Sequence, residues 1–208
     1  MSAKFACPSL NRRSVIATAA GLAVTAWAGN RAQAQSLAPD LPDAAAALDR
    51  FSPRPAPHLA FSDAKGQRLS LSSYRGHALL VNLWATWCGP CVAEIPSFAA
   101  IATKLAKSGV LILPISIDME GAPVVQRFYK AHRIHDLPLL VDPDGNDMDA
   151  MRTNGVPTTL VLDRAGQVVG RMEGAADWDT PDTLAYLAAL GQAKQPEPAK
   201  RASGSIPA

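Results

Sequence analysis

At 208 residues, 48% of them hydrophobic, the chain is long enough for one domain with extensions and apolar enough to fill its core. Its formal charge of +2 hides an asymmetry, because Lys4, Arg12, Arg13 and Arg31 fall in residues 1–34, which contain no acidic side chain. That leaves 16 basic residues against 18 acidic ones in the remainder, with no arginine-rich stripe, so a nucleic-acid partner is not expected.

The N-terminus reads as an export signal. Arg12-Arg13 precede an apolar run from Val15 to Ala28, and Ala32-Gln33-Ala34 is a small-x-small cleavage site before Gln35. NRRSVI at residues 11–16 also resembles a twin-arginine signal, although Asn11 stands where Ser or Thr is usual. The run is shorter than the roughly 20 residues of a spanning helix, so cleavage, and no stable membrane insertion afterwards, is expected. Cys7 falls in this segment, and the rest of the chain keeps a single pair, Cys88 and Cys91.

Residues 35–52 read as a linker rich in Ala, Pro and Asp, with a short helix near residues 43–49. The compact domain is expected over 53–191. HLAF at 58–61 and LSL at 69–71 flank a DAKG turn and predict a hairpin. ALLVNLW at 78–84 is a continuous apolar run, as in a central strand buried on both faces. A helix follows from about Pro90 to Lys107, then a strand over 110–117, a helix from about Pro123 to His132, a short strand at 139–141 and a helical turn over 147–152. Strands at 159–162 and 168–171 pair across a DRAG turn, and a last helix starts at Pro181 with Thr180 as its N-cap. Residues 192–208 lack apolar periodicity and read as a disordered tail. Strands alternating with helices and ending in a hairpin predict an α/β sandwich with a mixed central sheet flanked by helices.

The pair in WCGPC, residues 87–91, admits three uses: a structural disulfide, a metal site or a redox dithiol. A disulfide closing so short a loop stabilises little. Zinc would need His132 and His135 as further ligands, but 40 residues separate Cys91 from His132 and Pro90 restricts the knuckle, so no metal ligand set is assigned. Copper(I) needs only two soft thiolates and stays open as a chaperone function. The redox use has a positional reason: Cys88 falls where strand gives way to helix. Unpaired backbone N–H groups and the positive end of the helix dipole there stabilise its thiolate. Cys91 lies one turn in, as a protected resolving sulfur.

The surrounding motifs sharpen this. WCGPC, preceded by LVNLWAT at 80–86 and followed by VAEIP at 92–96, resembles the TlpA/ResA-like branch of the thioredoxin superfamily. So do GVPTTLVLDRAGQ at 155–167 and LPLLVDPDG at 137–145, the latter matching the αβ element this branch inserts into the thioredoxin fold. The resemblance covers roughly residues 53–190. It implies a thioredoxin fold and a thiol-disulfide oxidoreductase without a cofactor, in which Cys88 attacks a client disulfide and Cys91 resolves the mixed disulfide. It also implies a cis peptide before Pro157, and client contacts with Trp87, Gly89, Pro90 and the Val156 backbone. Its expected partners are protein disulfides, such as those of apocytochrome c or copper-oxidase assembly factors, and a membrane electron donor of the DsbD or CcdA type. Asn82 replaces the buried Asp usual in thioredoxin. Glu94, three residues after Cys91 on the same helical face, is then the expected proton acceptor for Cys91, against the simpler reading of a carboxylate at a helix N-terminus. Trp84 reads as core, Trp87 as a lid and Pro96 as a helix kink. Gly89-Pro90 is the dipeptide of reducing thioredoxins, which favours a reductant over a net disulfide-forming oxidant. A peroxidase is not expected, since no PxxxTxxC occurs.

Overall fold

The computed structural model describes residues 41–194. The expected export signal and the tail residues beyond Lys194 lie outside them. Helix α1 (Ala44–Ala47) is capped by Asp43, whose side chain accepts from Ala46 N. Strand β1 (Asp49–Pro55) follows, then β2 (Ala60–Asp63), β3 (Arg68–Ser70), a 3-10 turn (Leu71–Tyr74), β4 (Ala78–Trp84) and α2 (Gly89–Lys107). The chain continues through β5 (Val110–Ser116), α3 (Ala122–His132), β6 (Leu140–Val141), α4 (Asn146–Met151), β7 (Thr158–Leu162), β8 (Gln167–Glu173) and α5 (Pro181–Gln192).

The strands form one eight-stranded sheet in the order β1-β8-β7-β4-β5-β6-β2-β3. β4 and β5 run parallel, as do β5 and β6, while β4 pairs antiparallel with β7. The sheet is mixed and the helices flank it, as expected. β4 is buried along its whole length, and its alternate residues feed two cores. Ala78, Leu80 and Trp84 join Cys91, Ile95 and Phe98 of α2 and Leu187 of α5 in one cluster. Leu79, Val81 and Leu83 join Phe61 of β2 and Met151 of α4 in the other. The apolar β4 side chains therefore have a layer to enter on either face, which is why the run carries no polar alternation, and Asn82 is its one polar member.

Two boundaries differ from the sequence reading. The segment read as linker up to residue 52 is part of the sheet: β1 pairs antiparallel with β8 from Asp49 onward, and Ala44 and Leu48 are buried. Pro53 and Pro55 are tolerated because β1 is an edge strand, where a missing N–H need cost no ladder bond, and its register shifts between Arg50 and Arg54. Gln192 closes α5 instead of opening the tail. The hairpin of β2 and β3 does form, and β2 also pairs with β6, so the hairpin extends the sheet beyond the inserted element. Helix α2 continues through Pro96.

Gly109 and Gly191 let α5 approach β5. A Cβ on Gly109, where φ is +81°, would stand 2.8 Å from Gly191 O. The approach fixes the C-terminal layer against the sheet.

Candidate redox site

α2 begins at the C-terminal end of β4, where the buried run reaches the surface. Cys88 is its N-cap, in extended conformation, and its Sγ accepts from Cys91 N at 3.2 Å. Gly89 and Pro90 form the exposed first turn, in which Pro90 leaves no N–H unsatisfied. Cys88 and Cys91 are joined as a disulfide, with Cys88 6% exposed and Cys91 fully buried. The outer sulfur is the one a client can reach.

The peptide bond between Val156 and Pro157 is cis. Val156 O lies 3.4 Å from Cys88 Sγ. Thr153 and Thr158 brace this loop: their hydroxyls stand 2.8 Å apart and both donate to Gly155 O. A shallow hollow of about 230 Å³, lined among others by Gly155, Val156, Pro157 and Gly174, adjoins it. Two larger hollows, of about 360 and 390 Å³, contain no dithiol residue.

Asp118, fully buried just past β5, ties down the loop that leads to Cys88. Its carboxylate accepts from Thr86 N at 2.9 Å, Thr86 Oγ1 at 2.7 Å and Ser116 Oγ at 2.7 Å. Sequence reasoning missed Asp118, because a lone Asp after a strand carries no spacing signal. Trp87 and Met119 follow the two tied residues and are 67% and 86% exposed. Trp87, expected as a lid, is thus an exposed aromatic directly before Cys88. Trp84 is fully buried, stacked at 6.1 Å on Tyr129.

Glu94 is not a surface carboxylate. It is fully buried on α2. Oε2 accepts from Asn82 Nδ2 at 3.2 Å, and Oε1 accepts from Trp178 Nε1 at 2.6 Å and Ala176 N at 3.1 Å. Burial pushes its pKa up to about 7, against the lowering effect of the hydrogen bonds from Trp178, Ala176 and Asn82. A carboxyl titrating near neutrality, one helical turn from Cys91, is suited to exchanging a proton with the inner thiol. Trp178 and Ala176, in the loop before α5, were not anticipated, since no motif there marks them. His132 ends α3 with its ring stacked on Phe128 at 4.0 Å and Nδ1 3.0 Å from Phe128 O. Among the described residues, no group of three or more His, Cys, Asp or Glu is arranged to hold a metal.

The model of the AhpC/TSA family matches residues 53–171. The chain belongs to that family. Within it, the chain is 31% identical over 119 residues to the thiol-disulfide oxidoreductase ResA of Bacillus subtilis (strain 168), a match over 57% of this chain and 65% of that protein. A solved structure of a thiol:disulfide interchange protein of the thioredoxin family, from Chlorobium tepidum TLS, superposes with a TM-score of 0.56 at 28% identity, covering 67% of this chain and 99% of that one. A putative thiol:disulfide interchange protein DsbE from Chlorobium tepidum shares the fold, with a TM-score of 0.57 at 24% identity over 67% of this chain and 99% of that one. The expected resemblance to ResA-like proteins of the thioredoxin superfamily is thus borne out. Ala176 and Trp178 lie beyond residue 171, where the family match ends.

Proposed function

We propose that this AhpC/TSA-family protein is an exported thiol-disulfide oxidoreductase that reduces disulfides in client proteins. The observation that carries the reading is the juxtaposition of the Cys88–Cys91 pair, at the N-terminus of α2, with the buried Glu94. The names of the relatives support the reaction class, and Gly89-Pro90 supports the reducing direction. The N-terminal signal supports a periplasmic location, and no helix among the described residues is long and apolar enough to cross a membrane.

In the reduced enzyme, the helix terminus and Cys91 N stabilise the Cys88 thiolate, which attacks one sulfur of a client disulfide. The first client sulfur leaves as thiolate and is protonated by solvent. The extended client chain lies along Val156, with Trp87, Gly89 and Pro90 at its side. Cys91 then gives its proton to Glu94 and attacks Cys88 Sγ. The second client sulfur leaves, and Cys88–Cys91 is oxidised by the two electrons the client has gained. A membrane donor of the DsbD or CcdA type restores the dithiol, and apocytochrome c and copper-oxidase assembly factors are the client classes that fit.

The reduction potential tests the direction. It is expected nearer thioredoxin's value of about −270 mV than that of the oxidant DsbA, about −120 mV. A value above roughly −170 mV overturns the reductant reading in favour of disulfide formation. Cys91→Ser is expected to trap clients as mixed disulfides through Cys88, whereas Cys88→Ser traps none. Tight copper(I) binding to the dithiol without client trapping would replace the enzyme with a chaperone.

A further inference from the structure

The Asn82 side chain faces α2 from the middle of β4 and is fully buried. Its Nδ2 donates to Glu94 Oε2 at 3.2 Å and to Thr159 Oγ1 at 2.9 Å. Its Oδ1 has no hydrogen-bond partner among the described residues. Thr159 is the register partner of Asn82 across the β4–β7 ladder, so the backbone fixes this contact.

The chemistry of the pair depends on where the proton is. An ionised carboxylate only accepts, and an amide meeting it must present N–H. A carboxylic acid protonated on Oε2 also donates, and an amide that still presented N–H could reach only the remaining lone pair of that oxygen and would offer the acid proton no acceptor. A half-turn of the amide about its last torsion exchanges N and O at nearly the same places. Oδ1 then accepts from Glu94 Oε2–H. The Thr159 hydroxyl serves both orientations, since it accepts from Nδ2 or donates to Oδ1. Two hydrogen bonds are kept either way. On the far side Oδ1 is enclosed and has no partner among the described residues, so nothing there holds the present orientation. The turned amide places its NH2 group in the same unpartnered site, and the new bond from Glu94 Oε2–H must offset that cost.

We propose that Asn82 is a positioning residue that turns its amide over as Glu94 takes up or loses a proton, so that both states of the carboxyl are hydrogen-bonded. The inference rests on Glu94 as the proton acceptor for Cys91, and adds how the accepted proton is held. Neither an aspartate nor a leucine at this position offers the same service. An aspartate places a second negative charge beside Glu94, and a leucine offers neither donor nor acceptor.

The test uses the oxidised wild-type chain. Its Asn82 side-chain amide and the Glu94 carboxyl carbon are followed by NMR across the Glu94 titration. The Asn82 resonances are expected to titrate with the Glu94 midpoint, and the nuclear Overhauser contacts from the Asn82 NH2 protons to the Thr159 side chain should be lost on the acid side. In Glu94→Gln the titration of the Asn82 amide should vanish. A residue with a purely structural role would show no such change of contacts. Persistence of the contacts on both sides of the Glu94 midpoint overturns amide inversion while leaving the proton-acceptor role of Glu94 intact. Unchanged resolution kinetics in Glu94→Gln would instead overturn that role, whichever way the amide points.

Discussion

Glu94 and Asp147 are both carboxylates withdrawn from water, one beside the dithiol and one in the inserted αβ element. Burial raises both, Glu94 to about 7 and Asp147 to about 6. What differs is the identity of their partners. Asp147 Oδ1 accepts from Ala60 N of β2 at 2.8 Å, and Asp147 N donates to Asp142 Oδ2 at 2.7 Å. Asp142 N in turn donates to Ser116 O at 2.8 Å. The aspartates thus bind β2, α4 and the end of β5 together by satisfying backbone groups that would otherwise be orphaned. Glu94 draws two of its three donors from side chains, Asn82 and Trp178, that the backbone does not need. Burial alone does not mark a working carboxylate. The role proposed for Glu94 rests instead on two side-chain donors to it, one helical turn from a redox sulfur.

Activity should separate the two most widely. Glu94→Gln keeps the shape and removes the basicity, so resolution of a pre-formed mixed disulfide is expected to slow by about 100-fold or more, the usual scale of a general base. Attack by Cys88 should change far less. Asp147→Asn should leave both steps within about twofold, because it lies outside the proton route. Stopped-flow kinetics on a disulfide-bonded client measures both rates. Equal losses in the two variants would erase the distinction between them.

Stability against pH is the next largest effect. The folded-state pKa of Glu94 is raised from 4.5 to about 7, so the fold favours its protonated form. Its contribution is therefore fully present below pH 4.5 and lost as pH rises to about 7, by about 3 kcal/mol if the whole shift is realised. Asp147 acts in the same direction from 3.8 to about 6. Urea denaturation of the oxidised protein across this range should show stability declining with pH, and Glu94→Gln should make the decline shallower from about pH 4.5 and abolish it between about pH 6 and 7, where Asp147 no longer contributes to it. A wild-type curve that rises through that window would contradict the burial of Glu94.

These contrasts also show what the sequence could reveal. The apolar run at 78–84 announced β4, because a strand covered on both faces is apolar wherever no buried partner satisfies a polar side chain, as Glu94 and Thr159 do for Asn82. The helix after it, the short strand at 140–141 and the closing hairpin followed from local signals. β1 did not, because its two prolines are tolerated only through its position at the sheet edge, which tertiary pairing decides. Glu94 was singled out by its spacing from Cys91, yet the same spacing fits a solvated helix terminus. Trp178 and Ala176, more than 80 residues away, complete its enclosure. Asp118 was invisible for the same reason: its role exists only once β4 and β5 lie side by side.

The structural role of Asp147 can be checked by truncation. Asp147→Ala removes the acceptor of Ala60 N and leaves that donor in a partly buried site, which costs about 1–3 kcal/mol. Asp147→Asn retains an oxygen for Ala60 N and should cost less. If urea denaturation gave both variants wild-type stability, the link between α4 and β2 would be incidental.

Trp178→Phe probes the dithiol side most gently. The ring of Trp178 packs tilted against Phe98, with centroids 5.5 Å apart, and a phenyl group preserves most of that contact while deleting Nε1. The lost hydrogen bond, 2.6 Å to Glu94 Oε1, favours the ionised carboxylate, so its removal raises the Glu94 pKa further. A hydrogen bond to a charged group contributes about 1.5–3 kcal/mol, equivalent to a shift of about one to two pH units. The pH midpoint for mixed-disulfide resolution should therefore move upward by about one unit, with Ala176 N and Asn82 still in place to limit the change. At pH well above both midpoints the variant should resolve as fast as wild type or slightly faster, because a more basic carboxylate is the stronger proton acceptor. A midpoint that stays fixed, or moves down, would mean that Glu94 does not govern the step. A lower plateau at every pH would assign Trp178 to packing alone.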